Sequence, residues 1–213
     1  METIRITEIF YSLQGETKTV GLPTVFVRLT GCPLRCHYCD TAYAFHGGKR
    51  MPLQEIIENV TQFQTKYVTV TGGEPLAQKS CLPLLTELCD RGYFVSLETS
   101  GALDVSKVDT RVMKVIDLKT PASGEVERNL YENLQFILPH DQIKFVLSDR
   151  NDYDWAKLAL SHYNLPTKCE ILFSPVFGKL PPMDLADWII ADQLPVRFQV
   201  QLHKVLWGDT PGR

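Results

Sequence analysis

Apolar positions along the chain recur with two periods, and the two take turns. TVFVRL (24–29) is a short β-branched run that reads as a strand, whereas LQEIIENVTQF (53–63) sets Leu53, Ile56, Ile57, Val60 and Phe63 on one helical face. YVTV (67–70) is a strand again, CLPLLTELCDRG (81–92) a helix stopped at Gly92, and YFVSL (93–97) and RVMKVID (111–117) are strands. VERNLYENLQFI (126–137) reads as a helix and QIKFVL (142–147) as a strand. They are followed by helix DYDWAKLALSHY (152–163), strand CEILF (169–173), helix MDLADWII (183–190) and a last strand VRFQVQL (196–202). Strands separated by helices make parallel βαβ crossovers. A complete eight-unit barrel needs about 250 residues, more than these units supply. The pattern therefore predicts an α/β fold, a partial, open (βα)6-type TIM barrel with parallel strands, as one domain over 1–213.

Polar or glycine-rich segments follow the strands: TGC, TGGEP (71–75), ETSG (98–101), DLKTP (117–121), SDRND (148–152), SPVFG (174–178) and HK (203–204). In a parallel barrel such segments meet at the C-terminal face, where the chemistry sits. Solvated loops are polar in any case, which accounts for SDRND better than for TGGEP.

Composition narrows the partners. With 44% hydrophobic residues the chain can build a core without disulfide staples, and no apolar run approaches the roughly 18 residues that span a bilayer. METIRITEIF has no basic-then-apolar signal pattern, so the expected location is cytoplasmic. A net charge of -3 without any Lys/Arg run gives no footprint for nucleic acid or an anionic membrane, which leaves a small molecule as the expected substrate. In a reducing compartment six cysteines are not a disulfide framework. Cys81, Cys89 and Cys169 are scattered, but Cys32, Cys36 and Cys39 stand in GCPLRCHYCD (31–40) with the spacing C-x3-C-x2-C.

Three thiolates from one loop leave a coordination position open. A structural zinc site closes with four ligands, and catalytic zinc ordinarily recruits His ligands and a Glu base, of which only His37 is near. A cubane iron-sulfur cluster normally takes four cysteines; held by three, it keeps one iron free for another ligand. A zinc site and a cluster both stay in view on the residues alone.

The cysteine motif with Tyr38 inside it, followed one βα unit later by TGGEP, resembles the radical S-adenosylmethionine superfamily. That resemblance implies a 4Fe-4S cluster on Cys32, Cys36 and Cys39 whose open iron chelates S-adenosylmethionine, with one electron cleaving the cofactor to a 5'-deoxyadenosyl radical. Beside it, Gly72 and Gly73 lack side chains and would let the backbone approach the methionine moiety, with Glu74 accepting from its ammonium; a tight turn would use the same glycines. Tyr38 would pack on the adenine, and Glu98 would accept from the ribose hydroxyls. Asp117, Leu118 and Lys119, with Phe173, Ser174, Pro175 and Val176, would line the same cofactor.

FYSLQGE, VFVRLTGCPLRCHYCDT, VTVTGGEP, SLETSG, DLKTPASG, IKFVLSDRNDY and FQVQLHKVLWG together resemble one family within that superfamily, the 7-carboxy-7-deazaguanine synthases, from Phe10 to Gly208. The resemblance implies conversion of 6-carboxy-5,6,7,8-tetrahydropterin to 7-carboxy-7-deazaguanine with loss of ammonia, on the way to queuosine and other 7-deazapurines, with dependence on Mg2+. It assigns Leu13, Gln14, Gly15 and Glu16 to the pterin, Arg28 to the substrate carboxylate, Thr71 and His203 to the substrate, and Thr41 to Mg2+. A flavodoxin-type electron donor and a homodimer are expected with it, and contact from the tail at Pro211 or Arg213 is left open. Two rivals remain: an activator of glycyl-radical proteins, which shares C-x3-C-x2-C but needs a protein groove, and a non-catalytic metal-binding module, which leaves the strand-end motifs without purpose.

Overall fold

A computed structural model describes residues 2–208, 210 and 212. Strands β2 (Pro23–Leu29), β4 (Tyr67–Gly72), β5 (Phe94–Thr99), β6 (Met113–Asp117), β7 (Gln142–Leu147) and β8 (Glu170–Pro175) pair in parallel in that order. These are six of the seven strands the pattern predicts. The sheet is larger than that, with the order β3-β1-β2-β4-β5-β6-β7-β8-β9, and its ends do not pair, so the barrel stays open.

Three elements depart from expectation. Residues Thr3–Leu13 form a long strand, β1, antiparallel to β2 and to β3 (Lys49–Pro52). Ile4 and Ile6 are buried at alternating positions there, so the strand period was present but short. The helix expected over 126–137 is instead two 3₁₀ segments, Val126–Arg128 and Tyr131–Phe136. The asparagines explain this: Asn129 Oδ1 accepts from Lys119 N at 2.8 Å while its Nδ2 donates to Lys119 O at 2.9 Å, and Asn133 Nδ2 donates to Leu103 O at 2.8 Å. Bonds to neighbouring loops outcompete helical ones. The last strand shrinks to β9 (Arg197–Phe198), paired only with β8, and the chain turns into a short helix, α5 (Leu202–Trp207), whose first amide donates to Gly15 O at 2.9 Å.

The helices α1 (Leu53–Thr61), α2 (Cys81–Asp90), α3 (Arg150–His162) and α4 (Pro182–Ala191) cover the outer face. Val25, Val27 and Leu29 of β2, Val68 and Val70 of β4, and Val95 and Leu97 of β5 pack there with Ile56, Ile57, Leu84, Leu85 and Leu88. Ile143, Phe145, Ile171 and Phe173 pack with Tyr153, Ala156 and Leu185 in a second cluster. Each such side chain contributes about 1.5–3 kcal/mol on burial.

The residues between them point inward, and they are polar. Gln14 Nε2 donates to Thr69 Oγ1 at 3.0 Å, Thr69 Oγ1 lies 2.8 Å from Ser96 Oγ, and Gln142 Nε2 donates to Glu170 Oε2. On the outer side of the sheet, where Lys114 stands beside Leu97, Lys114 and Asp141 form a fully buried ion pair at 2.8 Å, and the two Asp141 oxygens also accept from Lys114 N and Leu138 N, each at 2.8 Å. Asp141→Ala strands the Lys114 ammonium and two amides; we expect a loss of about 3–5 kcal/mol and a melting temperature lower by on the order of 10 °C in a thermal unfolding scan.

Candidate active site

A cavity of about 400 Å³ opens at the C-terminal ends of the parallel strands. Every strand-end segment singled out above contributes to its wall except SDRND. That segment is structural: Asp149 caps α3 by accepting from Asp152 N at 2.9 Å, and Asp152 accepts from Ser148 N and Ala122 N, each at 2.9 Å.

On one side lies the cysteine loop. Cys32, Cys36 and Cys39 are half-buried, unpaired and all in the cavity wall. The loop is braced by Arg35, whose Nη1 donates to Cys32 O at 2.7 Å and to Leu34 O at 2.6 Å, and by His37 N donating to Ser123 O at 3.0 Å. Burial pushes the Cys32 and Cys36 thiols up, and the nearby Lys119 ammonium counters it. Among the described residues no three His, Cys, Asp or Glu side chains converge on one point that would hold a single ion. Three thiols sharing a cavity wall suit a cubane, in which each thiolate takes a different iron. Cys81 and Cys169 are buried in the two apolar clusters, away from this wall.

The double glycine has a packing role that its sequence reading missed. A Cβ on Gly73 would meet Gly31 O at 2.2 Å and Cys32 Cβ at 2.9 Å, and one on Gly72 (φ +143) would meet Leu29 O at 2.2 Å. The missing side chains let the end of β4 press against the cysteine loop. Glu74 corrects its expectation too. It is fully buried and its carboxylate accepts from Leu76 N at 3.0 Å, Thr99 Oγ1 at 2.9 Å, Ser100 N at 2.7 Å and Ser100 Oγ. No acceptor is left for a cofactor ammonium.

Other expected cofactor contacts divide. Tyr38, Asp117, Lys119 and Val176 line the cavity, with Tyr38 Oη donating to Val146 O at 3.3 Å. Leu118 and Phe173 turn into the apolar cluster behind the sheet, since strand alternation puts them on the outer face, and Ser174 and Pro175 are buried outside the wall. Glu98 sits instead among the residues assigned to substrate, accepting from Thr71 Oγ1 at 3.0 Å and Gln14 Nε2 at 3.4 Å. Burial pushes its carboxyl up, and Lys144 opposes the shift.

Another part of the wall is the loop after β1. Leu13, Gln14, Gly15 and Glu16 all line the cavity. Glu16 Oε2 accepts from Lys144 Nζ at 2.6 Å, while Glu16 Oε1 is buried with no partner among the described residues. Thr17 next to it holds a left-handed φ of 68°, unusual for a β-branched residue, and is clamped by Gln199 Oε1 accepting from its amide at 3.0 Å. His203 rests on Gly15, where a Cβ would lie 2.1 Å from its Nδ1; burial pulls its pKa down, so the ring is neutral near pH 7. Arg28 lines the wall with its Nε donating to Glu8 Oε1 at 2.7 Å and its guanidinium 5.6 Å from the Phe10 ring centroid. Sequence reasoning missed Lys144 and Gln201, which also line the cavity together with Asp40. Lys144 had the same signal as Arg28, a charge inside an apolar strand. Asp209, Pro211 and Arg213 of the tail lie outside the described residues.

Residues 26–118 match the model of the Radical SAM superfamily. Over nearly its full length the chain is 47% identical to the 7-carboxy-7-deazaguanine synthase of Chlorobaculum tepidum, covering 96% of this chain and 94% of that one. The chain belongs to the 7-carboxy-7-deazaguanine synthase family. The synthase of Koribacter versatilis is 43% identical over 96% of this chain and 97% of its own. The crystal structure of QueE from Escherichia coli shares the fold with a TM-score of 0.76 at 22% identity, covering 93% of this chain and 94% of that one. As a member of this radical S-adenosylmethionine family the chain uses a 4Fe-4S cluster and S-adenosylmethionine, and the three thiols in one wall are the residues that would hold the cluster.

Replacing Cys32, Cys36 or Cys39 by Ala should each abolish bound iron after anaerobic reconstitution, measured by iron content and the broad absorbance near about 400 nm that sulfide-to-iron charge transfer gives. Cys81→Ala should retain both, because its thiol is buried away from the cavity.

Proposed function

We propose that the chain, working as one unit over 1–213, converts 6-carboxy-5,6,7,8-tetrahydropterin to 7-carboxy-7-deazaguanine with release of ammonia. The observation that carries this reading is that the cysteine loop and the polar loop Gln14–Glu16 line one and the same cavity, with the Glu16 Oε1 acceptor buried and unmatched among the described residues. A buried carboxylate oxygen without a donor costs about 1–3 kcal/mol or more, and a pterin N–H removes that cost. When bound, the cluster and S-adenosylmethionine supply a radical that abstracts hydrogen from the substrate.

The chain's own groups orient the pterin. Gln14, Glu16 and Glu98 offer the paired donors and acceptors that a guanine-like edge requires. Glu98, pushed up by burial, accepts or holds a proton there more readily than an exposed acid. Arg28 holds the substrate carboxylate, and its pairing with Glu8 and the Phe10 ring fixes the guanidinium before the ligand arrives. Neutral His203 closes the end of the cavity over Gly15.

Thr41 supplies the protein's oxygen to Mg2+. It begins the 3₁₀ turn Ala42–Phe45 without making a side-chain cap bond, and its Oγ1 lies 3.8 Å from Cys39 Sγ, so the hydroxyl is held at the cluster loop. The neighbouring carboxylate of Asp40, which could serve as the Mg2+ ligand in place of Thr41, instead accepts from Gln201 Nε2 at 3.1 Å. Mg2+ commonly takes one or two protein oxygens and completes its octahedron with water and substrate. The exposed Pro33, Arg35 and His37 around the cysteine loop leave room for an electron donor, for which a flavodoxin-type protein is our reading. Homodimeric assembly follows base rates for soluble enzymes. A reducing cytoplasm suits six free cysteines; no helix among the described residues is long and apolar enough to cross a membrane.

Anaerobic incubation with the carboxypterin, S-adenosylmethionine, Mg2+ and a reductant should yield the deazapurine and one ammonia; absence of both with an intact cluster would refute the assignment. Arg28→Ala should keep the cluster and reductive cleavage of S-adenosylmethionine but lower kcat/KM for the pterin by on the order of 100-fold, the effect of unpairing a desolvated charge. Thr41→Ala should weaken stimulation by Mg2+ and Thr41→Ser should largely keep it, read from the half-saturating Mg2+ concentration.

A further inference from the structure

Lys144 lines the cavity and has no part in the steps above. It occupies an inward position of β7 and is 7% exposed. Its Nζ lies 2.6 Å from Glu16 Oε2 and 3.4 Å from Asp117 Oδ1, while Asp117 Oδ2 pairs with Lys119 Nζ at 2.8 Å. The charges alternate: Glu16, Lys144, Asp117, Lys119. The row starts on the loop that faces the substrate and ends at the ammonium whose field reaches the Cys36 thiol.

We propose that Lys144 is a positioning residue that couples the two ligands of the cavity, fixing Glu16 against the pterin and Asp117 on the S-adenosylmethionine side through one shared ammonium. This rests on the proposed function. Burial works against the charge, yet Asp117, Glu16 and Glu98 around it hold the Lys144 pKa well above its usual value, so it is a cation at any working pH. A single buried cation that bonds two carboxylates must settle its position between them. A ligand that orders either carboxylate orders the ammonium, and the second ligand then meets a network already fixed. Coupling of this kind is reciprocal: each ligand tightens the other by the same factor. In an enzyme that generates a radical this matters, because S-adenosylmethionine held tightly only beside the pterin is cleaved only when hydrogen can be abstracted from substrate.

The test compares Lys144→Gln and Lys144→Arg with the parent, all reconstituted anaerobically. Affinity for S-adenosylmethionine is measured by calorimetry with the cluster oxidised, so that no cleavage occurs, with and without the carboxypterin. After reduction, 5'-deoxyadenosine formed per deazapurine is counted, and KM and kcat for the pterin are separated. In the parent, the pterin should tighten S-adenosylmethionine by on the order of tenfold, within the usual range of coupling between sites. Lys144→Gln should lose most of that factor, raise the KM for pterin more than it lowers kcat, and release several deoxyadenosines per product. Lys144→Arg keeps the charge and should restore part of the coupling. A Lys144→Gln enzyme with parental iron content, coupling and product ratio would overturn the proposal, as would a parent in which neither ligand affects the other. Should Lys144→Gln fail to hold iron, the same two outcomes are read from Lys144→Met, which keeps the apolar stem and removes the charge. A parent that neither binds nor converts the pterin refutes the proposed function instead, whereas a converting parent with indifferent Lys144 variants refutes the coupling alone.

Discussion

The position of the cysteine loop depends on one carboxylate. Glu74 ties the segment after β4 to the end of β5 through Thr99 and Ser100, and its own amide donates to Gly31 O at 2.8 Å. That knot presses Gly73 onto Gly31 and Cys32, so three separate chain segments converge behind the cluster. A charged acceptor with four protein donors is among the stronger anchors available to a backbone, and it lies in the interior rather than at the reacting centre.

The inner face of the sheet shows the same economy of placement. Most barrels of this kind fill their interior with layers of branched apolar side chains. Here the outer face carries the valines and leucines, and the interior carries Thr69, Thr71, Ser96, Glu98, Gln142 and Lys144, nearly all in mutual hydrogen bonds. Stability comes from helix packing outside and polar satisfaction inside. Among the described residues the buried side-chain groups left unmatched are Ser12 Oγ, Glu16 Oε1, Ser148 Oγ, Ser174 Oγ and Gln199 Nε2.

Much of this was legible in the chain. Period-2 and period-3.6 runs located the six parallel strands and four helices to within a few residues, because burial on the outer face imposes those periods directly. The cysteine spacing and the strand-end segments gave the cavity and most of its wall. The remainder escaped for definite reasons. Asn129 and Asn133 spend their amides on neighbouring loops, which no local pattern encodes. Phe173 and Leu118 share a motif with cavity residues but fall on the wrong side of the alternation, and Glu74 reads as a free acid until its donors are seen in space.

The loop between β1 and β2 enters the gap of the unclosed barrel. Thr17 and Lys18 donate their amides to the side chains of Gln199 and Gln142, at 3.0 and 3.1 Å, and so fill the floor from within. Gln14, Gly15 and Glu16 of the cavity wall are therefore carried by a segment that belongs to none of the repeated strand-helix units, while the cysteines and glycines belong to those units. Such a separation lets a lineage exchange the molecule it acts upon by rewriting one insert, with the radical-forming half of the catalyst left untouched.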